Sequence, residues 1–215
     1  MSLQISHMKT IVEKISREAP SKETIDKAAR VLRGGGVVVI PTDTVYGLAA
    51  NAFDRAAQQR IYRLKGRSFR KPLIIMPPDI EATRVIAEVS RDAEKLINHF
   101  WPGPLTLVLP ATPLGRLVMG GRKDLGLRIP DDPFVRALID VCGFPIATTS
   151  ANPSSGKSAV NAAMARQYFE DKVDMILDAG PAHAGRPSTV VDMLRFPYVV
   201  IREGCLKSKQ LLEYL

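Results

Sequence analysis

Two cysteines, three histidines and one tryptophan are all that 215 residues contain of those types. Cys142 and Cys205 stand far apart without a CxxC partner, which reads as reduced structural thiols rather than a disulfide. His7, His99 and His183 are equally scattered, so no Cys/His ligand spacing supports a structural zinc. A Ser-His-Asp triad converges only in space, but no GxSxG elbow prepares one. No apolar run approaches the roughly eighteen residues of a membrane span, because Pro41, Pro77, Pro102 and Pro110 interrupt each candidate. Residues 1–10 hold neither an apolar h-region nor a small-residue cleavage site, so a cytoplasmic location is expected, with no membrane partner.

What is present is a 46% hydrophobic chain, long enough to bury a proper core in one domain. Its 30 Lys and Arg exceed its 22 Asp and Glu, leaving a net charge of +8. That surplus favours anionic partners such as nucleotides or nucleic acid, although a merely soluble basic surface would carry the same count. Residues 1–8 are expected to form a disordered arm or an expression remnant, 9–206 a catalytic domain and 207–215 a C-terminal helix.

Helical and extended signals alternate along the chain. Residues 10–15 read as a strand; Ser21 can cap a helix whose Ile25, Ala28, Ala29 and Leu32 recur at helical spacing, and Gly34, Gly35 and Gly36 stop it. A buried strand follows at 37–40. Asp54 can cap a second helix with Ala57, Ile61 and Leu64 on one face, ending at Lys65-Gly66-Arg67, and 72–76 resumes extended structure. Ser90 opens another helix, which leads through Trp101-Pro102-Gly103-Pro104 into a β-type run at 105–109. A strand at 125–129, a helix from Asp132 through Val141 and a strand at 145–148 follow. Then come a helix at 160–169, a strand at 174–178, strands near 189–193 and 198–202, and a short last helix. The pattern predicts a layered α/β domain with a mixed sheet, since the final strands follow too closely for helical crossovers.

Ligands of open α/β sheets gather in loops beyond strand ends, and the distinctive segments fall there. In 34–48, Thr42 and Thr44 offer hydroxyls, Asp43 a carboxylate, and Gly47 a close backbone approach; a Gly-rich turn with a capping Asp would look similar. Lys65, Arg67, Arg70 and Lys71 crowd four cations along one turn, where a polyphosphate would relieve their repulsion; many such runs are simply solvated. Residues 151–158, ANPSSGKS, imitate a Walker A loop, with 175–178 imitating Walker B. Ala151 replaces the first glycine and Pro153 lacks an N–H where amides should cradle phosphates, so a P-loop NTPase stands only as an alternative. Trp101 beside Pro-Gly-Pro reads as a core anchor in preference to an adenine platform.

Several ordered segments together resemble the YrdC-like family: PTDTVYGL at 41–48, a KxR at Lys65 and Arg67, WPGPLTLVLP at 101–110, LGLRIP at 125–130, an SxN at Ser150 and Asn152, STVVD at 188–192 and IREG at 201–204. The resemblance spans about residue 9 to 204. It implies a twisted, mixed open sheet flanked by helices around a positively charged concave ligand site, in the compact single-domain form. It also implies a nucleotidyltransferase that joins ATP, L-threonine and bicarbonate or CO2 into threonylcarbamoyl-adenylate, releasing pyrophosphate, with Mg²⁺ accompanying ATP. The product would feed downstream threonylcarbamoyl-transferase machinery acting on tRNA, which this chain would itself bind weakly.

By the same resemblance, Lys65, Arg67, Ser150 and Asn152 are the expected catalytic residues. Arg67, Lys71, Ser150, Asn152, Ser158 and Arg202 form the expected ATP site, and Thr44, Arg128, Thr148 and Thr189 the L-threonine site. Metal ligands are unassigned. Arg128 has the planar donors to grip a carboxylate, although residue context alone would pair it with Asp131 or Asp132. Ser68 and Met76 depart from a proline and a histidine frequent in the family, which leaves Met76 outside the expected site. Two other readings stay open: a basic RNA-binding module of this fold without synthase activity, and transfer of a different carbamoyl group.

Overall fold

The computed structural model describes residues 9–118 and 120–214; the expected arm at 1–8 lies outside them. In chain order the elements are β1 (Ile11–Lys14), α1 (Lys22–Arg33), β2 (Val38–Ile40), β3 (Gly47–Asn51), α2 (Arg55–Lys65), β4 (Ile74–Met76), α3 (Ile80–Ile86), α4 (Arg91–Phe100) and β5 (Leu105–Pro110). There follow α5 (Pro113–Val118), β6 (Asp124–Leu127), α6 (Pro133–Cys142), β7 (Ile146–Ser150), α7 (Ala162–Phe169), β8 (Met175–Asp178), β9 (Thr189–Asp192), β10 (Val199–Arg202) and α8 (Ser208–Leu212).

All ten strands join one open sheet in the order β1-β8-β2-β3-β7-β4-β6-β5-β9-β10. It is mixed: β8 runs parallel to β1 and β2, β4 to β6 and β5 to β9, while β3 and β7 are antiparallel to each other and to their outer neighbours. The alternation of strand side chains then divides the core. Val38 and Ile40 face α1 and α6 across Ile25, Leu32, Phe134 and Leu138. Val37 and Val39 face the opposite layer, where Ile61 of α2, Leu96 of α4 and Phe169 of α7 pack.

Helix starts are fixed by side-chain caps. Asp54 accepts from Ala57 N, Ser90 from Ala93 N and Asp132 from Val135 N. Ser21 occupies the N-cap position of α1 but makes no side-chain cap bond, so amphipathic packing carries that helix. Three elements are additional to the sequence pattern. β3 reads GLAAN, without the β-branched residues that mark a strand, and forms because β2 and β7 flank it. The short α3 and α5 pack on each other beside the Pro77-Pro78 and Pro110 breaks that obscure their periodicity. Trp101 is buried, and its indole N–H donates to Leu105 O at 2.7 Å, which anchors the turn into β5. Among the described residues no helix is long and apolar enough to cross a membrane.

Candidate active site

One cavity, enclosing about 530 Å³ of space with its mouth included, draws its walls from the β2–β3 connection, the α2–β4 loop, the ends of β4, β6 and β7, the segment before β9, and β10. Among the described residues three guanidinium groups line it, Arg67, Arg128 and Arg202, and no carboxylate does. Each arrives by a different local device.

Arg67 follows Gly66, which ends α2 in the left-handed conformation with φ of 59°. Helix phase turns Lys65 inward with Ile61 and Tyr62, and the reversal lets Arg67 reach the cavity, a backbone state a side chain at 66 would strain. Arg67 Nε and Nη2 donate to Lys71 O and Pro72 O at 3.0 and 3.1 Å. Arg202 stands where the β9–β10 register shifts between Val200 and Arg202, a bulge that re-aims the side chain. Its Nε and Nη2 donate to Ser188 O and Ser188 Oγ, and Ser188 Oγ lies 2.8 Å from Thr106 Oγ1. Burial lowers the pKa of both arginines, and for Arg202 the nearby Arg128 and Arg67 cations add to it. Guanidinium groups remain charged regardless, so the three stay mutually repulsive until an anion arrives.

Arg128, just beyond β6, is buried and held on three sides. Nε donates to Gly103 O at 2.9 Å, Nη1 to Thr44 Oγ1 at 2.9 Å, and Nη2 to Asp43 Oδ1. Asp43 therefore takes the place that local sequence gave to Asp131 or Asp132. Asp132 is held elsewhere because it caps α6 and pairs with Arg17 at 3.1 Å. Of the five guanidinium N–H groups, two remain, one on each terminal nitrogen, which matches the two oxygens of a carboxylate. Thr42 donates to Val45 O, so in the 2.9 Å contact between hydroxyls Thr44 is the donor and Thr42 the acceptor. Thr44 keeps acceptor capacity toward the cavity.

Thr148 of β7 stands beside Gly47 of β3. A Cβ at position 47 would lie 2.8 Å from Thr148 Oγ1, so the glycine makes room for that hydroxyl. Ile74 and Met76 supply an apolar wall. Met76, left outside the site on sequence grounds, is thus among its lining residues, because β4 alternation turns 74 and 76 to the same face.

Lys65 and the Ser150–Asn152 loop meet directly. The buried Lys65 Nζ donates to Ser150 O at 2.5 Å and to Asn152 O at 2.6 Å, with Asn152 Oδ1 at 3.4 Å. Burial, and then the Arg67 cation, pull this ammonium down to about 7, while the three oxygens favour its charged form. The Asn152 amide donates to Pro153 O and Gly156 O. Neither Lys65 nor Asn152 lines the cavity; Ser150 does. Lys71 is exposed and Ser158 half-buried, both off the cavity wall. Thr189 is fully buried, its hydroxyl accepting from Gly204 N and Leu206 N and donating to Leu206 O, whereas Ser188 lines the cavity in its stead. Sequence reasoning missed Ser188 because STVVD offers two adjacent hydroxyls, and only the strand's phase separates them.

The Walker-like segment is not a phosphate cradle. The amides of Asn152, Ser154, Gly156 and Ala159 donate to Ser150 O, Lys65 O, Pro153 O and Ala151 O, and α7 begins only at Ala162 behind an Asn161 cap. Among the described residues no group of three His, Cys, Asp or Glu could hold a metal. Asp43 is engaged by Arg128, so these side chains do not build a cation cage.

Comparison with known proteins bears on the same segments. Residues 30–204 match the Sua5/YciO/YrdC family model, described as telomere recombination. A threonylcarbamoyl-AMP synthase of Pyrococcus abyssi is 40% identical over 197 residues, covering 91% of this chain and 58% of that protein. A putative threonylcarbamoyl-AMP synthase of Methanocaldococcus jannaschii is 34% identical, covering 90% and 92%. The crystal structure of P. abyssi Sua5 complexed with L-threonine superposes with a TM-score of 0.91 at 38% identity, covering 96% of this chain and 61% of that one. The chain thus spans about three fifths of the P. abyssi protein's length. With the family model matched over most of its length and the sheet shared with solved relatives, this chain belongs to the Sua5/YciO/YrdC family.

Proposed function

We propose that this chain is a threonylcarbamoyl-AMP synthase, converting ATP, L-threonine and bicarbonate or CO2 into threonylcarbamoyl-adenylate and pyrophosphate. The observation that carries the reading is the convergence of three arginines from distant segments with two threonine hydroxyls in one cavity. Relatives named for this activity, and one of them complexed with L-threonine, support it.

The cavity divides by chemistry. The two unengaged N–H groups of Arg128 receive the threonine carboxylate, the Thr44 and Thr148 hydroxyls read its side-chain hydroxyl, and the Ile74 and Met76 wall takes its methyl. The threonine amine captures CO2 and loses a proton, giving a carbamate. A carbamate oxygen then attacks the α-phosphorus of ATP, a new P–O bond forms, and the bond to pyrophosphate breaks. No protein nucleophile is needed. Arg67, Arg202 and Ser150 align the phosphates and stabilise charge on the phosphoryl oxygens and departing pyrophosphate. Lys65 and Asn152 act behind Ser150 by fixing its loop. Mg²⁺ would arrive on the triphosphate rather than in a protein cage, shielding its charge.

We place the reaction in the cytoplasm, with the adenylate passing to a transferase that modifies tRNA. Any contact of this chain with tRNA is weak and electrostatic, and falls with added salt. The purified chain, given ATP, threonine, bicarbonate and Mg²⁺, should release pyrophosphate and yield the adenylate by mass spectrometry. Release that persists without threonine would reject the reading in favour of transfer of a different carbamoyl group.

A further inference from the structure

The proposed reaction brings two anions of different kind into one small cavity, an amino-acid carboxylate and a polyphosphate. Three arginines line that space, and a guanidinium binds either anion well. Without some asymmetry, phosphate would compete for the amino-acid end. Asp43 is the asymmetry.

Its carboxylate sits on Arg128 Nη2, while Arg67 and Arg202 make their hydrogen bonds to carbonyl and hydroxyl oxygens only. Arg128 is therefore paired with a counter-charge and rotationally locked, while the other two have no carboxylate partner among the described residues and keep their charge for phosphate. Asp43 is itself held in place. It lies between Thr42 and Thr44, whose hydroxyls are bonded to each other, and its backbone oxygen accepts from Ala184 N at 3.1 Å. Its side chain is 11% exposed and does not line the cavity, so it acts on the ligand through Arg128.

We propose that Asp43 is a positioning residue that sorts the two anions: it aims the last two N–H groups of Arg128 at a carboxylate and keeps phosphate off that guanidinium. The inference rests on the synthase reading above. It predicts effects of opposite sign on the two ligands, which a merely structural role would not produce.

In Asp43→Asn the oxygen acceptor persists but the charge is lost. The threonine KM should rise about tenfold, as the ion pair that aims Arg128 becomes a hydrogen bond to an uncharged amide oxygen. Inhibition by pyrophosphate should strengthen by about threefold and become competitive with threonine, because an unpaired Arg128 now attracts it. Asp43→Glu keeps the charge on a longer arm, so it should raise the threonine KM while leaving pyrophosphate inhibition as in the parent. Steady-state kinetics with each ligand varied, beside a thermal melt of each variant, give the answer. Parallel weakening of both ligands in either variant, or no change in either, overturns the sorting role. A parent chain with no threonine-dependent pyrophosphate release overturns the synthase reading and this inference with it. A fully active parent whose Asp43→Asn variant fails the opposite-sign test overturns the inference alone.

Discussion

Replacing Lys65 by methionine tests a buried cation, a lysine 3% exposed with its ammonium folded onto backbone oxygens. Burial and the Arg67 cation lower it from 10.5 to about 7. At about 1.4 kcal/mol per unit, the charged form is disfavoured by roughly 5 kcal/mol relative to an exposed lysine. This is an upper figure, because Ser150 O, Asn152 O and Asn152 Oδ1 return part of it. The sign follows from linkage. Below about pH 7 both folded and unfolded chains carry the proton and the penalty is present in full. Between about 7 and 10.5 only the unfolded chain holds it, so the contribution of Lys65 to stability rises with pH; above 10.5 the penalty is gone. Denaturant unfolding of the parent and Lys65→Met at several pH values isolates the effect, since all other titrations cancel in the difference. The parent should gain on the variant by a few kcal/mol across that window. A difference that stays flat with pH would refute the lowered ammonium and the burial argument behind it.

Arg67→Ala and Arg202→Ala should each lower the rate of pyrophosphate formation by at least about a hundredfold with little change in melting temperature, read by steady-state kinetics and calorimetry. Arg128→Lys removes the planar pair of donors, so the threonine KM should rise by about tenfold or more while ATP affinity holds, as titration calorimetry would register. Gly47→Ala drives a methyl to within 2.8 Å of Thr148 Oγ1, and should cost about 1 to 3 kcal/mol of stability together with selectivity for threonine over serine. Lys157→Ala, on an exposed loop in which the amides of Ser154 and Gly156 are already engaged, should leave ATP affinity and stability unchanged; loss of nucleotide binding there would revive the P-loop alternative.

Much of the fold was legible because its signals are local. Helical spacing at Ile25, Ala28, Ala29 and Leu32, and caps at Asp54, Ser90 and Asp132, each act within a turn or two of chain. The small-residue strand β3 was not, since Gly47, Ala49 and Ala50 carry no strand preference and are extended only by their neighbours. Part of the lining of the candidate cavity was legible too. Thr44, Arg67, Arg128, Thr148, Ser150 and Arg202 all line the cavity, drawn from motifs read in order along the chain.

The direction in which each polar group points was settled only by tertiary packing. Lys65 and Asn152 stand in motifs as prominent as those of Arg67 and Ser150, yet they face each other, because a buried ammonium must find oxygens and the neighbouring loop offers three. Local sequence offered Arg128 the neighbouring Asp131 or Asp132, but the α6 cap and Arg17 claim Asp132, and Asp43 from a distant loop meets the guanidinium instead. Composition and local pattern determined which elements and which chemical groups this protein has. Long-range strand register and the competition of buried charges for partners decided which of those groups remain open to a ligand, and that competition involves residues dozens of positions apart that only folding brings together.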